Sequence, residues 1–332
     1  MGQEVIRKAV FQSLQLYFKN MKILIYGAGV IGSIYAARLF EANGSVTLLA
    51  RGKRYETLKQ NGVIIKDIST GKQTISNVPL VQQLAPDDFY DLIIVTVRLN
   101  QLDSVIKIIK QNTVCPLIML MLNNPDNMQE LQNELAHRHI ILGFPGIGGA
   151  YAANRIDYIQ IKQQQTTIGE MSGKISKQIQ EIKELFEKVG FKIAVSKNMQ
   201  AWLKTHAVFV ACISAAICKE NGDSVRLGKN RSSIKMMVKA ISEGFTACKK
   251  LGMPIAPFNL KIIFMIMPQW FSICYWQNAM QGKVGTLAMA PHANAAKDEM
   301  QIVAKKVLAM VYTSFMQTPT LDELLSTFIR LK

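Results

Sequence analysis

Residues 22–51 place an apolar run, Ile23-Leu24-Ile25, directly before Gly27-Ala28-Gly29-Val30-Ile31-Gly32, and follow it with an apolar helical pattern and a second strand at 46–49. This order of strand, glycine turn, helix and strand constrains the chain more than any other feature, because it is the dinucleotide-binding unit of an open α/β sheet. Gly27 permits the tight turn, Gly29 lets backbone approach a pyrophosphate, and Gly32 lets the helix pack against its strand. Ala28, Val30 and Ile31 supply the intervening backbone, whose free N–H groups at the helix start face the phosphates.

The residue ending the second strand meets the adenine ribose in such units, and an acid there binds the 2′-hydroxyl of NAD. Here it is Arg51, followed by Lys53 and Arg54. A guanidinium fork suits a 2′-phosphate, so the reading is NADP(H) rather than NAD(H).

At 332 residues the chain is long enough for two domains with their own cores. No apolar run reaches the roughly 20 residues of a membrane span, and 262–267 and 271–275 come closest, so no membrane partner is expected. Five cysteines in apolar stretches, without a C-x-x-C pair, read as buried free thiols in a reducing, cytoplasmic setting. The first twenty residues, with Arg7, Lys8 and Lys19, do not read as a secretory signal and are set apart as an N-terminal extension. The net charge of +16 comes from scattered lysines without interleaved aromatics, which fits a solvated basic surface or a cationic site for an anionic substrate better than nucleic acid.

Further along, 91–97 reads as a strand closed by Arg98, and 116–122 as another that runs into Asn123. Carboxyl ends of strands face the ligand crevice in open α/β sheets, so Arg98 and Asn123 are expected beside the cofactor. A strand at 140–143 leads into 144–149, read as a second glycine-rich loop whose Gly149 approaches the nicotinamide end. Residues 156–161 and 166–168 alternate like paired strands, 175–189 has helical spacing, and 191–195 is the last strand. From Asn198 onward only helical patterns remain, at 199–218, 232–251, 257–267 and 293–312. The expected organisation is therefore 1–20 extension, 21–197 Rossmann domain with a mostly parallel, doubly wound sheet, and 198–332 an all-α substrate and dimerisation domain.

These motifs, with Val95-Thr96-Val97-Arg98, Leu122-Asn123 and Ala201-Trp202-Leu203-Lys204, make the chain from Met21 onward resemble the ketopantoate reductase family. The resemblance implies a Rossmann domain followed by a helical domain, NADPH, a small anionic keto acid as substrate, and the reduction of 2-dehydropantoate used in pantothenate biosynthesis. It sets the family's catalytic lysine on Lys204, its cofactor-contacting asparagine on Asn123 and its phosphate-side lysine on Arg98. The helical half departs from the pattern. The family's asparagines one and two turns after the lysine fall on Val208 and Cys212, leaving Asn221 as the remaining match for a substrate asparagine, and its late serine and glutamate fall near Ala279 and near Pro291-His292.

Reducing a ketone builds negative charge on its oxygen, so a cation or proton donor must lie within about 3 Å of it. Lys204, in an otherwise apolar helix, is the candidate. His206 lies about 200° around that helix and reads as a satisfied core histidine. His292 reads as a pocket hydrogen-bond donor or proton relay, opening a helix that carries Glu299 on the same face. The four histidines and five cysteines have no metal-ligand spacing. An NADPH-dependent 2-keto acid reductase is the primary reading, a cofactor-binding but catalytically idle redox sensor or interaction protein the alternative; a homodimer stays open.

Overall fold

The computed structural model describes residues 21–331 apart from Asn127 and Ala136, so the proposed extension at 1–20 lies outside the described residues. Twelve strands are present among them: β1 (Ile23–Tyr26), β2 (Val46–Leu49), β3 (Val63–Asp67), β4 (Gln73–Ser76), β5 (Leu80–Val81), β6 (Leu92–Val95), β7 (Leu117–Met121), β8 (His139–Phe144), β9 (Ile147–Ala152), β10 (Arg155–Gln160), β11 (Thr166–Glu170) and β12 (Ile193–Val195). The α-helices are α1 (Val30–Asn43), α2 (Gly52–Asn61), α3 (Leu102–Gln111), α4 (Gln129–Glu134), α5 (Lys177–Lys188), α6 (Met199–Lys219), α7 (Ser224–Lys229), α8 (Arg231–Lys250), α9 (Phe258–Lys261), α10 (Gln269–Gln281), α11 (Ala290–Ala295), α12 (Lys297–Tyr312) and α13 (Pro319–Arg330).

Eight strands form one sheet in the order β12-β11-β8-β7-β6-β1-β2-β5, parallel except where β11 meets β8 antiparallel. The central strands are apolar throughout because both faces are covered. Along β1, Leu24 and Tyr26 face one hydrophobic cluster while Ile23 and Ile25 face the other. The sheet is thus the mostly parallel, doubly wound one expected.

A second sheet, β4-β3-β10-β9, was not anticipated. Its parallel pair joins β3 to β10, about ninety residues apart, a pairing that local patterning does not report. Two readings change with it. β10 does not pair with β11: it pairs with β9 and β3, and β11 pairs with β8 and β12. The glycine-rich stretch after β8 is not a loop but strand β9, with Gly148 and Gly149 opposite Ile159 and Tyr158.

Beyond β12 the described residues are helical. Asn198 starts α6 by accepting a hydrogen bond from the Ala201 amide at 2.9 Å. By length and composition α6, rather than 262–267 or 271–275, comes closest to a membrane span; its most apolar window has mean hydropathy 1.6 and is 83% buried inside the protein, as a core helix. Its first turns, through Met199, Trp202 and Leu203, join the cluster that also holds Leu122, Leu142 and Phe144, so one core runs from a sheet face into the helices. The helix expected at 293–312 is broken at Ala296, which separates α11 from α12. Among the free cysteines, Cys115, Cys212 and Cys248 are buried as expected, whereas Cys218 is half-buried and Cys274 exposed.

Candidate functional site

The glycine turn divides its three glycines by task. Gly27 has φ +121°, a conformation a side chain would strain. A methyl on Gly32 would be driven into the Gly27 carbonyl oxygen and the Thr96 hydroxyl, so α1 sits against the turn only because this Cβ is missing. Thr96, just past β6, holds the turn by donating its hydroxyl to the Gly27 carbonyl at 3.0 Å. Gly29 is exposed, has ordinary φ of −73°, and has open space where its Cβ would be. It offers α1 no side-chain cap, and the first bond within the helix is Ser33 N to Gly29 O, so the amides of Val30, Ile31 and Gly32 precede any helical acceptor. Backbone there is accessible and electropositive.

At the end of β2, Arg51 is exposed, leads into α2 and makes no ion pair with any described residue. Arg54, in contrast, is fixed: its Nε donates to the Ala28 carbonyl at 3.1 Å, one terminal nitrogen donates to the Ser33 hydroxyl at 3.1 Å, and its guanidinium lies 5.0 Å from the centre of the Tyr151 ring. This brace on the glycine turn was not legible beforehand, since Tyr151 arrives from β9.

At the end of β6, Arg98 is exposed and Leu99 opens a short 3₁₀ turn, Leu99–Gln101. The buried Glu299 of α12 accepts the Leu99 amide at 2.9 Å across 200 positions of sequence. Burial raises the Glu299 carboxyl's pKa, opposed by that amide and by the Arg98 guanidinium. His292, on α11, keeps an exposed edge while protein crowds its other sides; that crowding and Arg98 both push its imidazole below the ordinary value. Asn123, at the end of β7, is half-buried, and its side chain has no hydrogen-bond partner among the described residues.

The end of β8 meets α6. Phe144 touches Trp202 and His206, with ring centroids 5.2 and 4.2 Å away, and Trp202 stacks on His206 at 4.6 Å. His206 is buried, as expected, but it is not a satisfied core histidine, because its Nδ1 has no hydrogen-bond partner. Burial, and then the neighbouring His292, push its pKa down to about 3. The structure therefore brings Arg98, Glu299, His292 and His206 around the carboxyl ends of β6 and β8.

Lys204 lies elsewhere on α6. It is half-buried, without an ion-pair partner among the described residues, and its charge is felt by Cys248 of α8. One turn on, Val208 lies against Gly244 of α8, where an added methyl would collide with it. This face of α6 meets α8, while the face about 200° away meets Phe144. Asn221, exposed and at φ +59°, follows the far end of α6, about 25 Å from Lys204 along the helix axis, and is not gathered with it. Gly149 is held in β9, where a Cβ would press on the Asp157 carbonyl.

Beside the aromatic contact of α6 with β8 is a cavity of 380 Å³, lined by Phe209, Tyr275, Trp276 and Ala279 among others. Ala279, where the family's serine was expected, thus faces a cavity, although no hydroxyl is supplied. Among the described residues, no group of three or more His, Cys, Asp or Glu side chains is placed to hold a metal ion.

Residues 23–173 match the family described as ketopantoate reductase PanE/ApbA. A 2-dehydropantoate 2-reductase of Pyrococcus horikoshii is 26% identical over 254 residues, covering 73% of this chain and 79% of that protein. The solved 2-dehydropantoate 2-reductase of Geobacter metallireducens superposes with a TM-score of 0.71 at 16% identity, over 93% of this chain and 99% of that one. A D-mandelate dehydrogenase solved with NADH and anilino(oxo)acetate gives a TM-score of 0.71 at 14% identity, over 93% and 97%. The glycine cradle thus lies inside the segment that matches the ketopantoate reductase family, and the fold of the solved 2-dehydropantoate 2-reductases continues through the helices.

Proposed function

We propose that this protein reduces a 2-keto acid, ketopantoate-like in its 2-oxo carboxylate, to the 2-hydroxy acid with NADPH. The observation that carries the reading is the cradle: open space at Gly29, uncapped amides at the start of α1, and an unpaired Arg51 at the end of β2. These residues fit a dinucleotide. The α1 amides would hold the pyrophosphate, Arg51 would pair with the 2′-phosphate, and Arg98 and Asn123, at the strand ends, would lie beside the nicotinamide half. When bound, NADPH supplies the hydride that adds to the carbonyl carbon; the carbonyl oxygen takes a proton, which gives the hydroxy acid and leaves the nicotinamide oxidised.

Lys204 is the group assigned to steady the developing alkoxide and donate that proton. Its ammonium has no carboxylate partner among the described residues; its side of α6 faces α8, so the assignment rests on the family resemblance at Ala201-Trp202-Leu203-Lys204. His292, beside Arg98, orients the substrate.

A second reading, a cofactor-binding protein without turnover, is favoured by the packing of Val208 and Lys204's side of α6 toward α8. Following NADPH oxidation over a panel of 2-keto acids separates the two. For an active substrate, Lys204→Ala is expected to lower kcat by about 10²- to 10⁴-fold while NADPH affinity stays within a few-fold, and His292→Ala to act mainly on KM. A Lys204→Ala protein as fast as the parent refutes the lysine's role.

A further inference from the structure

We propose that the keto acid reduced here carries an aromatic side chain, which lodges in the cavity walled by Phe209, Tyr275 and Trp276; this rests on the reductase reading above. The cavity measures 380 Å³, within the range of small-molecule sites and far beyond what a methyl or isopropyl group fills. Its aromatic walls are already arranged as tilted and edge-on pairs, Phe209–Trp276 at 5.4 Å and 54° and Tyr275–Trp276 at 5.4 Å and 85°. A further ring joins such an array at similar spacing.

Position supports the same occupant. Gln164, on the cavity wall, donates to the carbonyl of Pro145, the residue after β8, and Phe209 lies 5.4 Å from His206, which itself touches Phe144. The cavity is therefore one aromatic ring away from the carboxyl end of β8, where the crevice for the reacting carbonyl lies.

The walls are also built irregularly. Two π-helical segments, Ile262–Ile266 and Val284–Met289, border the cavity through Ile263, Val284 and Met289. Such segments bulge a helix outward and are common at functional sites. The Trp276 Nε1–H is buried without a hydrogen-bond partner. Lys283 is the one charged residue on the lining, so nothing there repels an anion.

The test compares phenylpyruvate with pyruvate and 3-methyl-2-oxobutanoate in NADPH oxidation, and measures phenylpyruvate binding by calorimetry without cofactor. Phenylpyruvate is expected to exceed the smaller acids in kcat/KM by at least about tenfold. Ala279→Phe, which fills the cavity from its wall, is expected to remove the calorimetric signal and to lower kcat/KM for phenylpyruvate at least about tenfold more than for pyruvate. Ala279→Leu serves the same purpose if the larger substitution lowers the melting temperature. Equal kcat/KM across the series, or an equal loss for phenylpyruvate and pyruvate in a stably folded variant, overturns the proposal. Phenylpyruvate binding that Ala279→Phe abolishes, with no turnover of any keto acid, overturns the reductase reading while keeping the aromatic ligand class.

Discussion

Gly29 and Gly32 lie three residues apart, and their surroundings predict opposite phenotypes for the same substitution. In Gly32→Ala the new methyl falls far inside van der Waals distance of the Gly27 carbonyl oxygen, which is backbone and cannot swing away. The helix must move off its strand, an overpacking cost of about 1–3 kcal/mol. At about 2–4 °C per kcal/mol, the expected fall in Tm is about 2–12 °C, with cofactor binding impaired as a consequence. In Gly29→Ala the methyl meets no atom within 4 Å, and the backbone φ of −73° suits alanine. Alanine is a poorer N-cap than glycine, but it also restricts the unfolded chain, so the two effects, each below about 1 kcal/mol, offset one another.

What Gly29→Ala does occupy is the space through which a pyrophosphate approaches the α1 amides. Losing one charge-assisted contact costs about 1.5–3 kcal/mol, or about 10- to 150-fold in affinity. Calorimetric melting and NADPH fluorescence titration on the two variants read these quantities separately. Retained NADPH affinity in a Gly29→Ala protein of parental Tm places the phosphates elsewhere. A Gly32→Ala protein that melts with the parent refutes the close-packing account.

Arg51→Ala is expected to weaken NADPH by about 1.5–3 kcal/mol and leave NADH nearly unchanged, read by parallel titrations; equal affinities for the two cofactors in the parent remove the argument. His206 makes stability depend on pH in a defined direction. Its imidazole titrates near 6.5 unfolded and near 3 folded, so the unfolded chain takes up protons that the folded one refuses, and stability present above pH 6.5 falls as pH drops toward 3 by up to about 5 kcal/mol. Urea titrations between pH 7 and 4 should show this slope flattened in His206→Gln; an unchanged slope shows that other groups govern acid sensitivity.

The dinucleotide-binding unit was legible because each of its constraints is local. A glycine three residues after Gly29, an apolar run before and a strand after are neighbours in sequence as well as in space. The second sheet was not legible for the converse reason: β3 acquires its partner β10 only after about ninety residues. Gly148 and Gly149 invited a loop assignment because glycine is rare inside strands. Here their missing side chains admit Ala288 and the Asp157 carbonyl, a packing reason that no local pattern contains. Periodicity set His206 and Lys204 on opposite sides of α6, and the structure keeps them there; which side meets the sheet depended on Phe144 and Gly244, both distant in sequence.

Two of the contacts by which the helices meet the sheet land on carboxyl ends of strands. Glu299 seizes the Leu99 amide just past β6, and Trp202 with His206 covers Phe144 at the end of β8. In an open α/β sheet that edge is where the ligand crevice lies, so these contacts frame the crevice rather than merely join two cores. A buried carboxylate is expensive unless its charge is met, and here the Leu99 amide and the nearby Arg98 guanidinium meet it. Glu299 thereby holds the residue after Arg98 in place from the opposite half of the chain. The helical half that carries Val208 and Cys212 thus docks by a polar contact at the β6 end. On the proposed reductase reading, this bond would hold Arg98 and the β6 end in place against the helical wall of the pocket.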